Sequence, residues 1–158
     1  MKNKLGITND IELKNVEYKI TNFKHKLLDE KFLFNEETIF SMKYLEKLHT
    51  FLFSDIYDDN DCKIKNNISE NTIKKVESEL QNIKILAYDF NDIDKEKLAI
   101  SVYNIWKEQI FLDGNTRTLR AFLKVYYLGF GINMEHDFNR DIHDDYFINK
   151  LVKTKQKK

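Results

Sequence analysis

A chain of 158 residues without one proline has few built-in places to stop a helix. Average usage would supply about eight prolines. Only four glycines accompany that absence, too few for a series of tight hairpins or a glycine-rich phosphate loop. Together the two shortages argue against an all-β sandwich and for a mainly α-helical domain. Folding a chain of this length buries roughly two-thirds of its unfolded surface, enough for one core without disulfides or metals. Cys62 is the only cysteine, which excludes an internal disulfide and a cysteine-based zinc site.

Charge narrows the function classes. The 26 basic and 26 acidic side chains cancel, which argues against a nucleic-acid binder held by phosphate contacts. No apolar run approaches the roughly 18 residues of a membrane span, and MKNKLGITND lacks the apolar core of a signal peptide. The expectation is a cytoplasmic protein. Among the basic residues only Arg117, Arg120 and Arg140 are arginine. Abundant lysine and asparagine with little arginine, glycine or proline is the product of an AT-rich coding sequence. Against that background, two arginines close to a lone glycine stand out.

Apolar spacing predicts a helix from Ile11 to about Leu28, with Ile11, Leu13, Val16, Ile20, Phe23 and Leu27 on its inner side and Asn9 or Asp10 as its cap. Further helices are predicted over about 35–53 and 69–86, and from a cap at Asn91 or Asp92 through Trp106, read as core, to Gln109. Another starts at Asn115 or Thr116 and ends at Gly129 and Gly131, and a last one lies near 138–152. Between them, 54–68 is polar. Asp58, Asp59, Asn60 and Asp61 supply turns, and Ile64 and Ile68 are candidates for a short β-ribbon. The reading is one domain over 1–152 and a basic, frayed tail over 153–158.

The segment QIFLDGNTRTLR (109–120) carries the chemistry. It is a turn feeding a helix, whose first backbone N–H groups and dipole favour an anion in front of it. Gly114 permits close approach to the backbone. Arg117 and Arg120 are neighbours on one helical face and suit bidentate phosphate contact. Asp113 can hold a divalent cation bridging phosphate oxygens. On spacing alone, an ordinary helix start with two surface arginines competes with a polyphosphate site.

This segment resembles the signature of Fic-domain proteins, HxFx(D/E)GNxRxxR. Phe111, Asp113, Gly114, Asn115, Arg117 and Arg120 match in order and spacing. NKLGITND followed by ELKNVEYKI, and LEKLHTFLFSDIYD over 45–58, are similar to segments upstream of that signature. The resemblance implies an all-α bundle of about six to eight helices with a short β-hairpin flap. It also implies transfer of AMP from Mg-ATP to a Ser, Thr or Tyr hydroxyl of a target protein. By position, Asp113 would bind Mg²⁺. Gly114, Asn115 and the backbone of Thr116 would form the anion hole. Arg117 would hold phosphate and Arg120 the γ-phosphate, which favours ATP over the Doc-type kinase branch. Lys63, Ile64 and Lys65 would line up the target segment.

The chain departs from the family where catalysis is concentrated. Gln109 occupies the position of the catalytic His and Ile110 that of the following Pro. An amide orients a hydroxyl but does not deprotonate it. Three readings stay open: an impaired adenylyltransferase with a substitute base (Glu108 and His49 being candidates), a nucleotide-binding pseudoenzyme or regulator, and a protein-interaction module. His25, His136 and His143 are remote from the motif in sequence. Thr116 replaces the second glycine of the commonest motif form, and Asp59–Cys62 the usual aromatic-Ala-Gly stretch before the flap's basic residue. The inhibitory pattern (S/T)xxxE(G/N) is nearest at Thr8–Leu13 and fails at its last position, which favours a separate antitoxin-type inhibitor chain or none. Arg140 is read as a surface salt-bridge residue.

Overall fold

The computed structural model describes residues 2–28, 39–88 and 95–129. Helix α1 spans Asp10–Leu27, and Asn9 caps it by accepting from the Glu12 N–H at 3.0 Å. Helix α2, Met42–Phe53, starts at Ser41, whose hydroxyl accepts from Tyr44 N–H. A single helical turn, α3, covers Asp59–Cys62. Helix α4, Glu70–Leu86, is capped by Ser69 through Thr72 N–H. Helix α5 is Lys95–Trp106 and α6 is Asn115–Leu128. Serine and asparagine thus provide the starts that this proline-free chain needs. The mainly helical bundle read from composition is the fold found.

Helix α2 is the hub, packed against α1, α3, α4 and α6, while α5 packs against α4 and α6. Helix α6 is buried nearly all round: Thr118, Leu119 and every residue from Ala121 to Tyr127 are inaccessible, as expected of a helix at the centre of a bundle. Phe122 and Tyr126 pack edge-on against Phe40. Lys124, on the same helix, is buried with its ammonium donating to the His25 carbonyl at 2.8 Å. No helix among the described residues is long and apolar enough to cross a membrane.

Two expectations are corrected. The β-ribbon over 54–68 does not form. Among the described residues the only β pairing is an isolated bridge between Asn3 and Tyr57. Asp58, Asp59 and Asp61 favour a helical turn, with acidic side chains at its N-terminal end. The chain leaves that turn extended at Lys63, and the next N–H groups go to the Glu46 carboxylate and Ile110 O rather than to a partner strand. The inner side of α1 is as predicted at Leu13 and Ile20, which pack against the core, but not throughout. Ile11 and Phe23 are 75% and 61% exposed, whereas Glu17 and Thr21 are buried; the cause lies in the site described next. The predicted helix over 138–152, the stop at Gly131, the caps at Asn91 and Asp92, Arg140, His136, His143 and the 153–158 tail lie outside the described residues.

Candidate active site

The site forms where α5 ends, a short loop turns, and α6 begins. Gly114 adopts φ +77° and serves as the N-cap of α6, so the predicted cap falls one residue earlier, on a residue without a side chain. No side chain caps the helix. The first-turn N–H groups at Asn115, Thr116 and Arg117 therefore keep the character of an anion site. A Cβ on Gly114 would lie 2.4 Å from Phe53 Cζ. The glycine is required by the backbone angle and by the ring beneath it.

Asn115 holds the turn together. Its Oδ1 accepts from Phe111 N–H at 3.1 Å, and its Nδ2 donates to Phe111 O at 3.0 Å and to Gln109 Oε1 at 3.1 Å. Both amide hydrogens are thus in use, and what Asn115 offers a phosphate is its backbone N–H. Thr116 is exposed, and its hydroxyl accepts from Trp106 Nε1 at 2.9 Å, joining the end of α5 to the start of α6. Trp106 is accordingly half-buried, at the rim of the core.

Gln109 is not on the helix as predicted: α5 ends at Trp106, and Gln109 stands in the left-handed region at φ +46°, unusual for a residue with a Cβ. Its amide is tied at both ends: Nε2 donates to Trp106 O at 2.8 Å and Oε1 accepts from Asn115. Asp113 is exposed, with Oδ1 accepting from the Gly114 N–H at 2.8 Å. No group of three or more His, Cys, Asp or Glu side chains placed to hold a metal exists among the described residues. A divalent cation here would rest on Asp113 together with substrate oxygens, the usual way Mg²⁺ is held. The donor set fits that ion.

Arg117 points back to α1. Its guanidinium forms an ion pair with Glu17, lies 3.5 Å from Thr21 Oγ1, and stacks over Phe53 and Tyr18 at 4.7 and 5.1 Å. Tyr57 O–H donates to the other Glu17 oxygen. Burial first, and then that bond, push the Tyr57 phenol well above its ordinary range. This cluster explains why Glu17 and Thr21, rather than Phe23, face inward on α1. Arg120 lies one turn further along α6, half-buried. Glu17, Thr21 and Tyr57 were not legible as site residues; the one signal is a glutamate and a threonine four apart on α1, beside its apolar stripe.

His49 is 3% exposed and stacks flat on Phe111 at 4.1 Å between ring centroids, with Phe53 at 4.6 Å. Its Nδ1 lies 2.7 Å from Cys62 O and its Nε2 2.7 Å from Asp113 O. Burial pulls the imidazole below its ordinary 6.5, outweighing the two carbonyls and Asp113, which raise it. A neutral ring has one N–H for these two carbonyls, and only the imidazolium donates to both; in either form both nitrogens face backbone away from solvent, and neither is placed to take a proton from a substrate. Burial also pushes the Cys62 thiol up to about 11, so it stays protonated. Beyond Cys62, Ile64 N–H donates to Glu46 at 2.9 Å and Lys65 N–H to Ile110 O at 2.9 Å. Lys63 is exposed while Ile64 and Lys65 are half-buried, and the Lys65 bond sets this segment beside the motif loop.

A model of the Fic/DOC family matches residues 39–127, more than half of the chain. No curated protein matches it.

Proposed function

This chain belongs to the Fic/DOC family, and on that premise we propose that it binds Mg-ATP at the start of α6 and is an adenylyltransferase weakened by Gln109. The observation that carries the reading is the uncapped N-terminus of α6 behind Gly114, with the Asp113 carboxylate beside it. The backbone N–H groups of Asn115 and Thr116 meet phosphate oxygens. Arg120 takes the γ-phosphate, and Arg117, steadied by Glu17, turns its remaining N–H groups to phosphate. Mg²⁺ at Asp113 supplies charge neutralisation.

In the transfer a target Ser, Thr or Tyr hydroxyl oxygen bonds to the α-phosphorus, the bond to the bridging β-oxygen breaks, pyrophosphate leaves, and the hydroxyl proton must go to a base. Gln109 offers no such base. Its acceptor oxygen already receives Asn115, and one of its two N–H groups goes to Trp106. The same two bonds favour a second reading, a nucleotide-binding regulator without transfer. The target docks along Lys63–Lys65, and a separate antitoxin-type chain is the regulator expected in the cytoplasm. Incubation with α-phosphate-labelled ATP and a lysate tests the proposal. Weak labelling by the natural chain and strong labelling by Gln109→His support it, binding with no transfer by either supports the regulator, and no nucleotide binding overturns both.

A further inference from the structure

The substrate-side machinery rests on two backbone segments that are distant in sequence, the extended stretch after Cys62 and the Asp113–Gly114 turn. One side chain touches both. His49, from the hub helix α2, places its Nδ1 2.7 Å from Cys62 O and its Nε2 2.7 Å from Asp113 O, with Phe111 stacked on its ring. We propose that His49 is a positioning residue. By donating from Nε2 to the Asp113 carbonyl it fixes the peptide that carries the Gly114 N–H, the group that aims the Asp113 carboxylate, and its ring lies between that turn and the segment bearing Lys63–Lys65.

The supporting contacts converge on this placement. The Asp113 carboxylate is aimed by its bond to Gly114 N–H, and a rotation of the 113 peptide would break that bond. The stretch after Cys62 reaches the motif loop again through Lys65 N–H and Ile110 O, and α2 again through Ile64 N–H and Glu46. Residues that orient a metal-binding carboxylate are worth about tenfold to a hundredfold in affinity. This inference rests on the proposed Mg-ATP site for its binding readout but not for its structural one.

Two substitutions separate the ends of the bridge. In His49→Gln the amide nitrogen falls near the place of Nε2 and still donates to Asp113 O. In His49→Asn it falls near the place of Nδ1 and serves only Cys62 O. Both lose the ring stack equally. The expected result is that His49→Asn weakens Mg-ATP binding about tenfold or more and speeds hydrogen exchange at Gly114 N–H by a similar factor. His49→Gln keeps both close to the natural chain. Equal effects of the two variants, or a larger effect of His49→Gln, overturn the proposal. If the natural chain binds no Mg-ATP, the proposed function fails, and exchange at Gly114 still decides on His49. Should neither variant fold, His49→Phe keeps the stack without a donor. Faster exchange at Gly114 with unchanged exchange in α4 then supports the proposal, and unchanged exchange at Gly114 overturns it.

Discussion

At Gly114 the backbone runs at φ +77° with the Phe53 ring so close that a Cβ would lie 2.4 Å from its Cζ. Gly114→Ala therefore meets two costs at once, a left-handed backbone with a side chain and a clash in a packed core. Together they amount to roughly 2–5 kcal/mol. Urea unfolding of the variant should show that loss, and a change under about 0.5 kcal/mol would contradict the geometry.

Helix α1 shows what periodicity reads and what it misses. Its existence and its start at Asn9 follow from apolar spacing and a capping asparagine. Its orientation follows in part: Leu13 and Ile20 face the core, but the ion pair of Glu17 with Arg117 and the bond from Tyr57 bring Glu17 inward and leave Ile11 and Phe23 exposed. Removing the charge at Glu17 leaves a largely buried guanidinium without its partner. Glu17→Gln should cost about 2–3 kcal/mol, read as a lower urea midpoint with unchanged slope. An unchanged midpoint would mean that the pair contributes nothing to docking α1. The predicted ribbon over 54–68 fails for a related reason. Its Ile64 and Ile68 are spaced for a strand, but the hydrogen bonds of 62–65 go to α2 and to Ile110 rather than to a second strand.

For the whole molecule, the shortage of proline and glycine was enough to indicate a helical bundle, and the 109–120 segment was enough to locate the turn at its centre. The roles inside that turn needed coordinates. Asn115 spends its side chain on closing the loop, Arg117 is anchored by a helix nearly a hundred residues earlier, and His49 joins two segments that no local pattern relates. Such long-range contacts leave no periodic trace in the chain. The proposed function requires that the phosphate site is intact and that the missing base alone limits transfer. Titration of the natural chain and Gln109→His with Mg-ATP, followed by labelling with α-phosphate-labelled ATP, tests it most directly. The prediction is similar affinity in both and transfer about 10²–10⁴-fold faster in Gln109→His. Equal affinity with equally slow transfer, or no binding by either protein, would contradict it.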